Sequence, residues 1–527
     1  MAKGLDEYSR EELIDEIKKL KKQKRFGLVW EDKPEKVVKE CEEKLPVLKE
    51  VQEKAIGEVE GEPTNIIIEG DNYHALSILN YTHAGKIDVI YIDPPYNTGN
   101  KDFIYNDCYV DKEDTFRHSK WLSFMEKRLR LAKNLLADDG VIFISIDENE
   151  QPTLRLLCDE IFGNSGFVNN LVWYYKNSTM KSSTDKLAKT HENILVYRGK
   201  NFKPFPLRDG EISRDLLNRF GKYANEKNEI LYKNVKHEES YLSRILPKFK
   251  KEFGRMPEDN DVLQRLEPNF VRDVIERPTI RSNNFYEQFG IEFSNPKNPD
   301  LIKLLLRLSS NDSGKTINTN AIVLDFFAES GTTGQAVMEL NKEDGGHRQF
   351  ILVTNNEANG KTDAGEEGIA EKVTYPRIKT VITGIRPDGS KYSDGLPANL
   401  RYFKTDFVEK GKTTDDTREA LITECCDMIR IRENAFEHVA NSSEYRFYKN
   451  DKVFVPIIFD QFAIAETWEK VEELNTEKLP VHCYNFSYNR HANEEEIPED
   501  TDLEWTACSI PESVLEVYKR IFRKKEA

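Results

Sequence analysis

The sequence predicts an α/β fold: a three-layer domain on a mostly parallel sheet, interrupted by an insert and followed by an α+β segment. Three observations carry this. Apolar, β-branched runs alternate with helical periodicities over residues 65–199, the pattern of consecutive βαβ units. Between about 200 and 290 the periodicity breaks down among Pro, Gly and mixed charge, as in NFKPFPLRDG and FGRMPEDND. It returns with a helix at 298–308 and strand-like runs at 321–327 and 348–357.

The elements follow in order. Residues 5–24 carry Leu5, Leu13, Ile14, Ile17 and Leu20 at helical spacing, with Ser9 placed to cap the helix. NIIIEGDN (65–72) and KIDVIYIDPP (86–95) are buried-strand patterns, and HALSILNYTHAG between them is long enough for a crossover helix. Residues 116–140 form a long amphipathic helix and VIFISID (141–147) a third strand. LRLLCDEIFG (154–163) continues as helix, and FVNNLVWYY (167–175) and HENILVYRG (191–199) as strands. LRYFKTDF and KVFVPIIF read as strands of the C-terminal segment. The organisation expected is an N-terminal helical arm (1–60), a catalytic half-domain (61–200), an insert (201–290), a second half-domain (291–400) and a C-terminal α+β domain (401–527).

Composition narrows the class. With 527 residues, 38% hydrophobic and 10% aromatic, the chain has ample material for folded cores. No apolar run approaches the ~18 residues of a membrane span. The first residues lack an apolar signal core, so a cytoplasmic location without membrane association is expected. Seven scattered cysteines show no CxxC spacing, so neither a metal site nor a disulfide framework is expected. A net charge of −16 is unusual for a nucleic-acid binder, but it hides local asymmetry.

Two stretches carry chemistry. The strand 87–92 ends in Asp93-Pro94-Pro95-Tyr96-Asn97-Thr98-Gly99-Asn100, and ligands of open α/β sheets bind at such carboxyl ends. Two prolines remove two N–H groups and leave carbonyls as acceptors beside a carboxylate and an aromatic face. That suits a planar ligand with an exocyclic amine, such as an adenine or cytosine swung out of a duplex. In the second stretch, VLDFFAESGTTGQAV (323–337), an apolar run ends at Asp325 and a small-residue turn opens a helix, as in loops that cradle ligands at a helix N-terminus. It lacks GxGxxG, so an ordinary dinucleotide enzyme fits poorly.

Together DPPYNTGN and DFFAESGTTG resemble the motifs of DNA amino-methyltransferases, in the order of their circularly permuted β class. FGLVWEDKPE, NIIIEGDNYHAL, IDVIYIDPPYNTGNKDFIYND and NPKNPDLIKLLL resemble the modification subunit of Type III restriction–modification systems. The resemblance implies a permuted Rossmann-like, S-adenosylmethionine-dependent methyltransferase fold with an inserted target-recognition domain. It implies adenine-N6 methylation of double-stranded DNA, an Asp rather than Ser at the first motif position favouring adenine over cytosine N4. A homodimer and a helicase–nuclease restriction partner are implied by the same analogy. A cytosine-N4 enzyme, or a weakly catalytic specificity subunit guiding a nuclease, are the alternative readings.

Under that resemblance Asp93 and the Pro94 carbonyl accept from the target amine, Pro95 stiffens the turn and Tyr96 stacks on the base. Asp71 takes the cofactor's adenine and Glu357 its ribose hydroxyls. Asp325, Phe327 and Ala328 lead into the turn, where Ser330, Gly331, Thr332 and Thr333 offer N–H and hydroxyl groups to the methionine portion. Lys297 is assigned to the cofactor's carboxylate. Relatives usually show glycine where Glu329 stands, so a side chain there is expected to weaken cofactor binding without abolishing it. Finally, residues 171–208 are rich in Lys and Arg with interleaved aromatics, the composition of a DNA groove; Lys176, Lys181, Lys186, Lys189 and Tyr175 are the contacts expected.

Overall fold

The computed structural model describes residues 9–10, 30–57, 59–100, 102–175, 189–208, 214–267, 270–280, 282–311, 314–355, 368–460, 462–487, 494, 497–498 and 501–522. Its frame is a ten-stranded sheet whose strands, in chain order, we label β1 (Lys44–Glu50), β2 (Thr64–Glu69), β3 (Ile87–Ile92), β4 (Leu136–Ile146), β5 (Phe167–Tyr175), β6 (His191–Arg198), β7 (Val274–Arg277), β8 (Ile322–Asp325), β9 (Gln349–Thr354) and β10 (Asn399–Glu409). The spatial order is β1-β10-β2-β9-β8-β3-β4-β6-β5-β7. From β10 to β4 all neighbours are parallel. Their residues are buried on both faces, which explains the unbroken Ile/Val/Leu runs of β2, β3 and β9.

β8 lies between β9 and β3, so the carboxyl end of a strand from the second half of the chain emerges beside that of β3. Ligands of open sheets collect at such a place. The helix Asn72–Thr82 starts at Asp71, whose Oδ1 accepts from the Tyr73 N–H at 2.7 Å. Every residue from Tyr73 to Thr82 is buried, because this helix is packed between the sheet, the helix Arg117–Leu135 and two helices of the C-terminal segment. One core cluster accordingly runs from Leu76 and Met125 to Met428 and Tyr518.

Several boundaries differ from the sequence expectation. Residues 5–8 and 11–24 of the helical arm lie outside the described residues. The same arm segment contains β1, an edge strand antiparallel to β10 with Lys44 opposite Glu409 and Glu50 opposite Phe403. A boundary at 400/401 would cut β10 just after its first residues. The insert is not wholly separate either: its β7 joins the sheet edge parallel to β5. The remainder of the insert forms its own small core of Ile230, Val235, Tyr241, Leu242 and Leu266 beside the antiparallel pair Glu229–Leu231 with Val262–Arg265. β5 and β6 are antiparallel neighbours rather than a continued parallel series. The C-terminal segment carries a five-stranded sheet of its own, including Phe454–Ile458, with a separate core around Trp468. No described helix is long and apolar enough to cross a membrane.

Leu79 has no exposed surface in this shared core. Leu79→Ala should therefore lower the unfolding free energy by about 2–5 kcal/mol, read as a shifted denaturant midpoint at unchanged slope. A loss below about 1 kcal/mol would mean that the helix collapses onto the gap or contributes little to the core.

Candidate active site

The turn after β3 is built by neighbours that fix it without using all its acceptors. Trp121, buried in the helix Arg117–Leu135, donates its Nε1–H to the Pro95 carbonyl at 2.7 Å. Asn97 is fully buried with φ +56°, a region Asn tolerates better than most residues. Its amide donates to Glu150 Oε1 at 2.6 Å, and Glu150 also receives the Thr153 hydroxyl and pairs with His118 Nδ1 at 2.5 Å. So one of the two proline carbonyls expected to be open is occupied. Among the described residues no donor reaches the other, Pro94 O.

Lys297 stands at the centre of the chemistry, in a place the sequence expectation did not give it. Its Nζ lies 2.7 Å from Glu192 Oε2, 2.7 Å from the Tyr96 hydroxyl and 3.2 Å from Asp93 Oδ1. An ammonium has three N–H groups, and these contacts use all of them. The assignment of Lys297 to a cofactor carboxylate is therefore corrected: its charge is already matched by protein carboxylates. Glu192 also accepts from Tyr175 at 2.5 Å, and the Tyr96 hydroxyl lies 2.8 Å from Asp93 Oδ1 and 2.9 Å from Glu192 Oε2. Asp93 Oδ2 takes no hydrogen bond from any described residue.

Burial pushes the Asp93 carboxyl up, with Lys297 pulling it down and Glu192 pushing it further. Burial also opposes ionisation of Glu192, but Lys297 and the two tyrosines outweigh it and hold this carboxyl below its usual range. For Lys297 burial disfavours the charge; Asp93 and Glu192 overcome that and hold the ammonium well above its ordinary value.

The loop after β8 is organised by two buried groups. Asp325 accepts the Phe327 N–H at 3.1 Å and the Thr333 hydroxyl at 2.6 Å; burial pushes its carboxyl up to about 7, against those donors. Arg377, also buried, donates from Nη1 to Ser330 Oγ at 2.9 Å, Thr332 Oγ1 at 2.7 Å and Ser330 O at 3.1 Å. Its guanidinium packs 4.9 Å from the Phe285 ring and 5.2 Å from that of Phe289, both from the helix Ser282–Phe289. The side chains of Ser330, Thr332 and Thr333 are thus turned into the protein and Ala328 is buried, which corrects their expected use as hydroxyl donors or lining. The first N–H groups of the helix Thr332–Asp344 have no intrahelical acceptor, while the Gly331 N–H is taken by Ala328 O at 2.7 Å.

Glu329 holds φ +40° and Gly331 +77°, the left-handed region that favours glycine. The Glu329 side chain opens into the cleft beside Pro95 and Phe327. The side chain itself is solvent-exposed; the protein packed around it, then Asp93, push its carboxyl up, with Lys297 opposing.

That cleft, about 900 Å³, runs from Pro95, Phe327 and Glu329 past Asp71 to Thr354, Asn355, Glu371 and Lys404. Asp71 caps its helix and is held from behind by the buried Arg128, 3.3 Å away, which also donates to Glu35 at 2.8 Å and stacks 3.7 Å from the Phe124 ring. A Cβ on Gly70 would fall 2.0 Å from Thr405 Oγ1, so this wall tolerates only glycine. Glu357 lies outside the described residues, two positions beyond Asn355.

Of the expected DNA contacts, Lys176, Lys181 and Lys186 lie outside the described residues. Lys189 is paired with Asp147 at 2.9 Å and Glu148 at 3.1 Å, and stands 5.8 Å from the Tyr96 ring. Tyr175 belongs to the Glu192 cluster, while Trp173 and Phe202, two aromatics of the same 171–208 stretch, are core residues. Sequence reasoning missed Glu192, Trp121, Arg128 and Arg377. Only Glu192 left a signal, as an acid amid the basic, aromatic stretch 171–208.

Residues 87–359 match the family described as DNA methylase. Among curated relatives, the StyLTI Mod subunit of a Type III restriction-modification enzyme from Salmonella typhimurium is 32% identical over 396 residues, covering 63% of this chain and 59% of that protein. The EcoPI Mod subunit of Escherichia phage P1 is 28% identical over 60% of this chain and 62% of its own length. The EcoP15I Mod subunit of Escherichia coli is 29% identical over 69% and 71%. The chain thus spans about six-tenths of the length of the first two. The match across both motifs and the strands between them places it: the chain belongs to the DNA methylase family.

Proposed function

We propose that the chain is a site-specific DNA methyltransferase that moves a methyl group from S-adenosylmethionine to N6 of an adenine swung out of the duplex. The observation that carries this is Asp93, with Oδ1 held by Lys297 and Tyr96 while neither Oδ2 nor the Pro94 carbonyl takes a hydrogen bond from a described residue. Two acceptors fix the two hydrogens of an exocyclic amine and leave its nitrogen lone pair directed away from them, toward the cleft. Pro95 shapes the turn, and Tyr96, tethered through its hydroxyl, offers its ring face to the base.

The cleft suits the cofactor in size and chemistry. It is large enough for a nucleoside carrying an amino-acid arm. Asp71, Phe327 and Asn355 line it, and Glu357 follows Asn355 in the chain as the acid proposed for the ribose hydroxyls. The backbone N–H groups of Ser330, Thr332 and Thr333 would face the methionine carboxylate at the helix N-terminus, while Gly331, whose N–H is taken by Ala328 O at 2.7 Å, gives the turn its left-handed bend. When bound, S-adenosylmethionine supplies an electrophilic methyl group; the residues orient the amine and exclude water. Lys189 and Tyr175, with Lys176, Lys181 and Lys186, form the proposed DNA side, and the insert 201–290 the proposed target-recognition region. The names of its relatives support a modification role beside a restriction subunit; that the chain acts as a homodimer in the cytoplasm is part of the same proposal.

Expressed in a host without DNA methylation, the chain should leave N6-methyladenine at a short recurring motif, read by single-molecule sequencing, and Asp93→Ala should erase it. N4-methylcytosine would instead select the cytosine reading, and DNA binding with no modified base a specificity subunit. The left-handed backbone and cleft-facing carboxyl at residue 329 lead to a second expectation. Glu329→Gly should bind S-adenosylmethionine a few-fold more tightly, on the order of 1 kcal/mol, by calorimetric titration; equal or weaker binding would sink this.

A further inference from the structure

We infer that Lys297 and Glu192 are positioning residues for Asp93: Lys297 holds one carboxylate oxygen and keeps the group an acceptor, while Glu192 and Tyr175 hold Lys297 in place. The inference rests on the reading that Asp93 receives the target amine. It moves Lys297 from the cofactor to the base side of the site, and it gives Glu192 a role that neither motif announces.

The geometry supports it in three ways. Lys297 precedes the helix Pro299–Arg307, whose N-cap Asn298 accepts the Asp300 N–H at 2.8 Å and ties its amide to Pro278 O at 2.8 Å, so the backbone behind the ammonium is anchored. The side chain passes 5.1 Å from the rings of both Trp173 and Tyr96, and this aromatic wall restricts where Nζ can go. At its tip it meets three oxygens, each from a different side chain.

The Tyr96 hydroxyl sharpens the case. It accepts from Lys297 and has one proton, yet it lies within hydrogen-bond distance of both Asp93 and Glu192. One proton cannot serve two ionised carboxylates at once. With the ammonium present, two negative charges stand against one positive and both carboxylates can remain ionised. Without it, two carboxylates converge on a single hydroxyl, and one of them must take up a proton from solvent. Glu192 keeps Tyr175 as a second donor; Asp93 does not, so the proton goes to Asp93. A protonated Asp93 presents an O–H to the incoming amine where an acceptor is needed. Asp93 is also faced by Tyr91 and, across the β8 loop, by Asp325 and Glu329, none of which can replace the missing cation.

The test is the pH profile of single-turnover methylation of a cognate duplex, in wild type, Lys297→Met, Lys297→Arg and Glu192→Gln. In Lys297→Met the acid limb should move up by about one pH unit or more, with S-adenosylmethionine affinity within about threefold of wild type. Lys297→Arg should restore part of the shift. Glu192→Gln should move the limb the other way, since it removes a negative charge from beside Asp93; it decides the matter if Lys297→Met does not fold. A Lys297→Met profile that is only scaled down, or a loss confined to cofactor affinity, overturns the inference. Infrared difference spectra supply a readout that needs no turnover. At neutral pH Lys297→Met should show, beyond the protonated-carboxyl bands of wild type, one further band that disappears when Asp93→Asn is added. If that band behaves as expected and the wild type methylates nothing, the reading of the activity fails while the pairing stands. If the wild type methylates and the band is absent, the pairing fails alone.

Discussion

The backbone pairing of β8 with β3 is the constraint on which the site depends. Val323 lies opposite Val89 and Leu324 opposite Ile90, though more than two hundred residues separate them along the chain. Parallel register sends both strands out of the sheet on the same side, so Asp93 and Asp325 emerge close enough for each charge to influence the other. All else at the site refines this pairing. Trp121 and Glu150 shape the turn after β3, while Arg377 and Asp325 itself shape the loop after β8. A shift of register by one residue would move every side chain of the strand to the opposite buried face and offset the two turns.

Charge follows a consistent logic within this frame. The protein is acidic overall, and acids also dominate the site: Asp93, Glu192 and Glu329 surround one buried ammonium, with Asp325 close to Asp93. Left alone, such a group would neutralise itself by taking up protons. Lys297 preserves ionisation where it is useful, at Asp93 and Glu192, while Asp325 and Glu329 sit with carboxyls raised, that of Asp325 to about 7. Arg377 is the counterpart on the far side of the loop. It is buried among hydroxyls and rings, and burial lowers its guanidinium to about 9.

What could be read in the sequence was what is local. β2, β3 and β9 are unbroken apolar runs, and the Pro-Pro and Ser-Gly-Thr-Thr turns sit directly after strands. β1 could not be read, because KLPVLKE mixes charge with a proline and is a strand only through its partner β10. The same holds for side-chain direction. Nothing in NPKNPD indicates that Lys297 turns toward Asp93, or in RHSKW that Trp121 occupies the Pro95 carbonyl. The hydroxyls of SGTTG suggested outward donors, yet Arg377 and Asp325, the former some 45 residues away, hold them inward. Such choices are made by burial and by partners distant in the chain, which a single segment does not encode.

The insert sits between the two strands whose ends make the site, and that placement bears on how the protein can change. The part of the insert between β6 and β7, which carries its own small core, is held in the sheet at both ends, so its length enters stability mainly through the entropy of closing one loop. That cost grows with the logarithm of length, by about 0.6 kcal/mol for each doubling. A family built this way can exchange, enlarge or shorten the segment while the pairing of β3 and β8 stays intact. Divergence in this part of the chain is thermodynamically cheap, whereas a change of one residue in strand register is not.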